Sequence, residues 1–260
     1  MDIFVFVKRV PDTESRIRID QKAKSIIEEG LSFVLSPYDE YAIEEAIRIR
    51  ETKGGKVTAI SVGPDETKTI LKKCLAMGAD EAILIHDDSP ESYDGLRTAR
   101  IIAQVVKEKF ESYDLLLFGK QAVGTDNSQV PSMVAELLGL PQVNVVTKLQ
   151  IEGASGTAHR EIEGAMEKVL FNLPAVISAQ KGLNEPRYET LKGIMMAKRK
   201  EVPAYTLQDI GISAEDIQPQ IEMVGIETPP AREAGKVIDN EPEEAAKMLI
   251  EFLHNEAKII

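Results

Sequence analysis

Four short apolar runs, each followed by a helical pattern, restrict the fold of this chain more than any other feature. They are IFVFV at 3–7, KVTAISV at 56–62, EAILI at 81–85 and DLLLF at 114–118. Continuous apolar character, rather than alternation with polar residues, marks strands covered on both faces. AVISA at 175–179 reads the same way. Between the first four runs, apolar residues recur three and four apart. PYDEYAIEEAIRIRET places Tyr41, Ile43, Ala46, Ile47 and Arg50 at that spacing. DETKTILKKCLAMGA puts Ile70, Leu71, Cys74 and Leu75 on one face and closes on Gly78 as a C-cap, and GLRTARIIAQVVKEKFES supplies another helix. Repeated strand–helix units predict an α/β fold, a Rossmann-like parallel sheet flanked by helices with right-handed crossovers.

Two regions break the repeat. RIRIDQKAKSIIEEG at 16–30 reads as a short hairpin inserted after the first strand. Residues 145–180 read as an antiparallel hairpin region built from VVTKLQIEG, TAHREIEG and MEKVLFNLPAVISA. From Lys200 the composition shifts to a strand, a Pro-Pro stop, a Gly hinge and a terminal amphipathic helix. That segment has too few apolar residues for a core of its own. The expected organisation is a nucleotide-binding α/β domain over 1–200 and an extended C-terminal arm over 201–260 that lies on another surface.

Composition removes several functions. The formal net charge of -12 argues against general nucleic-acid binding, which needs a basic surface to displace counterions. One cysteine, Cys74, allows neither an internal disulfide nor a thiolate-only metal site, and reads as a core residue. Three scattered histidines, His86, His159 and His254, do not suggest a metal centre. No apolar run reaches membrane-spanning length, and MDIFVFVKRV has neither a basic leader nor a cleavage site. The expected compartment is the cytoplasm, or the mitochondrial matrix if the source is eukaryotic.

Ligands of open parallel sheets sit beyond the carboxyl ends of the strands. After the first run come Lys8 and Arg9, whose plainest reading is a solvated strand end. After the fourth comes GKQAVGTDNSQV, a long loop of small and polar residues. Gly119, Ala122, Gly124 and Ser128 let a ligand approach the backbone, while Thr125, Asn127, Ser128 and Gln129 carry neutral donors. A helix expected at about 130–138 would aim its free N–H groups at this loop. Two readings stand: a phosphate cradle, or a long surface loop with Asn and Ser caps. Asp126 would repel a phosphate, so it caps the loop or helix or meets a sugar. No Walker sequence or G-x-G-x-x-G follows any strand, and no nucleophile–base pair or paired carboxylates can be identified.

KGLNEPRYETLKGIMMAKRKEVP at 181–203 is out of character for an acidic chain. Leu191, Ile194, Met195 and Met196 stand among Lys181, Arg187, Lys192, Lys198, Arg199 and Lys200. Charges that steer and one or two apolar anchors suit a docking loop for an acidic partner. A basic amphipathic helix lying on its own domain is the other reading.

VKRVPDTESRIRID, SPYDEYAIEEAIRIRE, LAMGADEAILI, GKQAVGTDNSQV and LNEPRYETLKGIMMAKRKE occur in this order. Together they resemble the beta subunit of an electron transfer flavoprotein, from the first strand to about residue 210, with LNEPRY followed by IMMAKRK the most specific. The resemblance implies an electron carrier subunit rather than a stand-alone catalyst, in a heterodimer with an alpha subunit that holds most of the FAD. It implies a structural AMP in this chain. Its contacts would include the Phe6 backbone beside the base, Ser36 and Tyr38, Ala59 and Val62 near the second strand's end, and the loop Gln121, Ala122, Gly124, Thr125, Asp126, Asn127, Ser128, Gln129 and Val130. The phosphate would lie against backbone N–H groups near Asn127 to Gln129. The resemblance makes LNEPRYETLKGIM the recognition loop for dehydrogenases of the acyl-CoA dehydrogenase type. Leu191 would be its anchor, Ile194 and Met195 would add apolar surface, and Lys192, Lys198, Arg199 and Lys200 would steer. Electrons would pass on to a membrane quinone oxidoreductase, and the arm would wrap the alpha subunit. A branch of the family carries a second FAD in place of AMP and bifurcates electrons from NADH. It reads DGDTAQVGP where this chain has VGTDNSQVP and usually lacks LNEPRY, which favours the AMP type. Set aside from the resemblance, a nucleotide-binding module of the universal-stress type, homodimeric and without flavin, is the competing class.

Overall fold

The apolar runs assemble into a nine-stranded sheet in the computed structural model, which describes residues 1–89, 94–230 and 235–260. The elements in chain order are β1 Asp2–Phe6, β2 Arg9–Pro11, β3 Ile19–Asp20, β4 Ser25–Ile26, β5 Phe33–Leu35, α1 Pro37–Lys53, β6 Lys56–Gly63 and α2 Lys68–Met77. They continue with β7 Glu81–His86, α3 Gly95–Lys109, β8 Leu115–Gly119, α4 Val130–Leu138, β9 Gln142–Glu152, β10 Ser155–Ile162, β11 Ala165–Asn172, β12 Ala175–Ala179, α5 Leu191–Arg199, β13 Ala204–Thr206 and α6 Pro242–Glu251.

The large sheet runs β11-β10-β9-β12-β8-β1-β6-β7-β13. Strands from β9 through β12, β8, β1, β6 and β7 to β13 pair in parallel, and β10 joins β9 and β11 antiparallel. From β1 the chain builds outward through β6 and β7, then returns to lay β8 on the other side of β1. The switch in strand order therefore falls between β1 and β8, where a parallel sheet opens a crevice at its carboxyl edge. The helices obey the same reversal. α1 and α2 bury Ile43, Ile47, Leu71 and Cys74 on one face with Val5, Ala59 and Leu117. α3 and α4 bury Ile101, Val105 and Val134 on the other face with Phe6, Ile60 and Phe118. Each fully buried isoleucine in these layers stabilises the fold by about 1.5–3 kcal/mol.

Local signals set the helix ends. α1 opens with Pro37 at its first position and Asp39 and Glu40 in the first turn, carries Arg50 and Lys53 in the last, and stops at Gly54 with φ 76°. α2 stops at Gly78, φ 132°, as expected. Asp94 caps α3 by accepting from the backbone N–H of Leu96 (2.8 Å) and Arg97 (3.3 Å).

Three readings change. MEKVLFNLPAVISA is two strands, since Pro174 lacks an N–H and ends β11 before it; β12 then enters the sheet in parallel between β9 and β8. The strand expected within the QPQIEMVGIE stretch does not form, and residues 219–230 find no ladder partner. Lys8 and Arg9 are not a solvated strand end: the Arg9 guanidinium lies 3.4 Å from the centre of the Phe33 ring, and its side chain is 16% exposed. The hairpin after the first strand is present as β3 with β4, and β2 pairs antiparallel with β5.

The chain divides into two units, residues 1–18 with 26–224, and 19–25 with 225–260. β13 belongs to the first. In the second, α6 buries none of its residues and leaves Leu249 and Ile250 exposed. Residues 231–234 of the expected arm lie outside the described residues.

Candidate functional site

The two strands at the switch end in stacked rings. Phe6 and Phe118 lie 4.7 Å apart at an interplanar angle of 17°. Val62 packs against the same layer from β6. Ala59 faces the opposite layer, three residues earlier and fully buried, because an odd spacing along a strand reverses the side-chain direction. Of the strand residues singled out from sequence, Phe6 and Val62 therefore share a face and Ala59 does not.

Beyond β8 the chain leaves the sheet for the loop 120–129. Gly124 (φ 97°), Asp126 (46°) and Ser128 (52°) adopt left-handed backbone. Gln129, at φ -100° and ψ -40°, is right-handed and opens α4. Alternating hands turn successive N–H groups toward one concavity, a nest suited to an anion. Among the described residues the backbone N–H groups of Asn127, Ser128 and Gln129 donate to no protein acceptor. Side chains brace the loop from within: Gln121 Nε2 donates to Asp126 Oδ1 (2.6 Å) and Ser128 Oγ to Gln121 Oε1 (2.9 Å). The Thr125 hydroxyl donates to the Ala122 carbonyl (3.3 Å). Asp126 is thus a brace in the loop, turned to Gln121. The loop also meets a second helix start. A Cβ on Gly95, the first residue of α3, would stand 3.2 Å from Gln129 Oε1 and 3.6 Å from Asn127 Nδ2. Two helix N-termini thus face one loop.

The opposite wall is the start of α1. Ser36 is fully buried, and its Oγ has no hydrogen-bond partner. A buried hydroxyl without a partner costs free energy, so it is a position where a ligand hydroxyl or ring nitrogen would be accepted. Tyr38 lies half-buried beside it with Lys120 Nζ 5.8 Å from its ring centre. An orphaned hydroxyl and a nest of free amides suit a nucleoside monophosphate, the hydroxyl for the base or sugar and the N–H groups for the phosphate; the Phe6 and Phe118 rings are buried against each other in the core. A separate cavity of about 800 Å³, between α3 and the segment after β13, is lined by Ile212 and Ile217 and by none of these residues.

The sequence reading missed Asp39. The residue is 6% exposed, and its carboxylate accepts from two backbone amides, Lys8 N–H on Oδ2 (2.7 Å) and Gly119 N–H on Oδ1 (3.0 Å). Burial pushes its pKa up to about 7, against the pull of those two N–H groups and of Lys8. SPYD has the spacing of a capping box, a visible signal, yet Ser36 makes no side-chain cap and Asp39 reaches to the strand ends instead.

The basic segment forms a second, distinct feature. α5 starts at a Thr190 cap, whose Oγ1 accepts from Gly193 N–H at 3.0 Å. Leu191 is 83% and Met195 62% exposed, and Tyr188 is nearly bare, whereas Ile194 packs into the core. Lys192, Lys198 and Arg199 are exposed. Lys200 turns inward, donating to the carbonyls of Asp80 (2.7 Å) and Ala79 (3.3 Å). Lys72 binds the carbonyls of Ala197 and Lys200 in return. The other end is tied to α1: Arg187 grips Glu44 and Glu51, and Asn184 Nδ2 donates to the Tyr41 carbonyl and Glu45, each at 2.9 Å. Fastened at both ends, the segment presents Tyr188, Leu191 and Met195 outward.

Residues 24–210 match the family model described as the electron transfer flavoprotein domain. The chain is 41% identical over 261 residues to the electron transfer flavoprotein subunit beta of Bacillus subtilis (strain 168), covering all of both chains. It is 36% identical to the subunits of that name from Mus musculus, over 94% of this chain and 95% of that one, and from Homo sapiens, over 95% and 96%.

Proposed function

The chain belongs to the electron transfer flavoprotein beta-subunit family, and from that premise we propose that it binds a structural AMP, helps to hold the FAD of an alpha subunit and docks electron-donating dehydrogenases. Membership implies a heterodimer with an alpha subunit and flavin in the complex. When bound, the flavin takes up and passes on electrons; this chain's own residues bind, orient and dock. The observation that carries the AMP reading is the set of free amides at Asn127 to Gln129, in a nest between two helix starts at the sheet's switch point. The orphaned Ser36 hydroxyl supports it from the other wall. The nucleotide is proposed to be held for architecture, not turnover. The arm over 201–260 is proposed to pack on the alpha subunit; the exposed Leu249 and Ile250 on α6 give it apolar surface to bury. Partners of the acyl-CoA dehydrogenase type and a membrane quinone oxidoreductase are proposed as donor and acceptor, in the cytoplasm. No helix among the described residues is long and apolar enough to cross a membrane.

Denaturing the purified heterodimer and separating the released nucleotides tests the assignment. One FAD and one AMP per heterodimer are expected. Two FAD and no AMP would move the chain to the electron-bifurcating, NADH-oxidising type, and no nucleotide beyond the alpha subunit's FAD would remove the nest's assigned ligand.

The docking assignment has its own test. Leu191→Ala truncates an exposed anchor without touching the nest. The expected result is a KM for the reduced dehydrogenase raised about tenfold or more, as for an interface anchor, with flavin spectrum and AMP content unchanged. Loss of AMP would instead make the segment a structural support.

A further inference from the structure

We propose that Asp39 is a positioning residue of the nucleotide site, its ionised carboxylate latching the exit of β1 to the end of β8 and so setting the gap in which the nucleotide sits. The inference rests on the AMP reading above and goes beyond it by assigning the part that holds the two walls in register. The geometry is specific. One oxygen takes the Lys8 amide, the other the Gly119 amide, from strands on either side of the switch. The same helix turn carries Ser36 and Tyr38, and Gly119 leads into the nest. α1, β1 and β8 therefore meet at a single side chain, and the approach is so close that a Cβ on Gly119 would lie 2.3 Å from Asp39 Oδ1.

Both oxygens are needed as acceptors. Protonation converts one into a hydroxyl whose hydrogen needs a partner, while an N–H already faces each oxygen. The neutral acid holds one amide well and releases the other. The charged and titratable groups around it are Lys8 at the exit of β1, Glu40 on α1, Lys73 and Cys74 on α2, and Lys120 beyond β8. Lys73 is paired with Glu40 at 2.5 Å. Burial pulls Lys8 down and Asp39 pulls it back up, and burial pushes the Cys74 thiol up. Burial likewise sets where the latch opens, near pH 7.

The sign separates this role from a general stabilising one. The folded-state pKa of Asp39 lies above the ordinary carboxylate value of about 4, so the folded protein binds the extra proton. Its contribution to stability falls as pH rises from about 4 through 7, while the latch tightens over the upper part of that window. Nucleotide loss on acidification from pH 8 to 6 cannot then be unfolding driven by this group.

The test is AMP binding to the nucleotide-stripped heterodimer from pH 6 to 8.5, for wild type and Asp39→Asn. Amide hydrogen exchange at Lys8 and Gly119 is followed in parallel, corrected for the intrinsic pH dependence. Wild type is expected to bind AMP about tenfold more tightly at pH 8 than at pH 6, and to protect both amides more. Asp39→Asn should bind about tenfold more weakly than wild type at pH 8, with a flatter profile and one amide unprotected. The AMP phosphate itself titrates near pH 6, so the difference between the profiles is the reading. Identical profiles, or protection of both amides that ignores pH in wild type, overturn the latch. Should the variant fail to fold, the wild-type exchange profile alone decides. A heterodimer that takes up no AMP at any pH removes the nucleotide reading, and the two amides still report on the latch.

Discussion

Gly119→Ala is expected to strip the complex of AMP and to lower its melting temperature by roughly 10 °C. The added methyl would stand 2.3 Å from Asp39 Oδ1, 2.7 Å from the Tyr38 carbonyl carbon and 2.8 Å from the Asp39 backbone nitrogen. Two of those atoms belong to the backbone of α1, which is fixed by Ala42, Ile43, Ala46 and Ile47, all fully buried. A core this dense cannot yield by a rotamer change, and overpacking costs about 1–3 kcal/mol. The Gly119 N–H also loses its carboxylate acceptor, worth about 1.5–3 kcal/mol for a charged partner. Together these come to roughly 2.5–6 kcal/mol, and at about 2–4 °C per kcal/mol for a chain of this size the middle of that range gives the shift stated. Gly153→Ala is the control. Its φ of 59° strains an alanine by about 1–2 kcal/mol, but a Cβ there meets nothing within 4 Å, in the turn between β9 and β10. Nucleotide content should survive that change. Calorimetry and nucleotide release on the two variants check both halves; equal melting temperatures would contradict the packing argument.

Much of this was legible in the sequence because the relevant forces are local or periodic. IFVFV and DLLLF announce buried parallel strands, Gly78 announces the end of α2, and GKQAVGTDNSQV announces the long loop after β8. The helix expected at about 130–138 is α4, Val130–Leu138. Distance in sequence hid the rest. Asp39 lies 31 residues from Lys8 and 80 from Gly119, and no local pattern tells a helix-cap acid from a strand latch. Glu44, 2% exposed at its side chain, looks like any acid on a helix until Arg187 arrives from 143 residues away. Periodicity also gave no warning that β12 would leave β11 for β8, because a buried strand reads alike in parallel and antiparallel company; only Pro174 marked the break. In the basic segment charge alone misled. Of the six cations, Arg187 is occupied with Glu44 and Glu51 and Lys200 with backbone carbonyls.

Arg187→Met should detach the segment proposed to dock dehydrogenases while leaving the flavin untouched. The guanidinium donates through Nε to Glu44 (2.8 Å) and through Nη1 to Glu51 (2.7 Å), and the Arg187 backbone N–H adds a third bond to Glu44 at 3.2 Å. Methionine keeps the apolar stem and removes the fork, leaving buried Glu44 with Arg48 at 2.6 Å as its remaining charged partner. Breaking a fully buried pair costs about 3–5 kcal/mol; a third of Arg187 is exposed and Arg48 stays, so about 2 kcal/mol is expected. The pH dependence identifies the cause. Burial raises the pKa of Glu44, but the bonds from Arg187 and Arg48 outweigh it, and the net shift is downward. A depressed carboxylate contributes stability above its unfolded value of about 4.3 and loses it as pH falls through the folded value. Without Arg187 the burial effect gains the upper hand and Glu44 shifts upward. The deficit of the variant should therefore be largest at neutral pH and narrow as pH falls below about 4.3 through the depressed folded value. Electron transfer should show a raised KM for the dehydrogenase with an unchanged flavin spectrum, since Tyr188 and Leu191 lose their anchor on α1. Arg187→Lys should recover part of both, because one ammonium cannot serve two carboxylates as a planar fork does. A melting-temperature deficit that stays constant as pH falls from 7 to about 3 would mean that packing, not this ion pair, holds the loop.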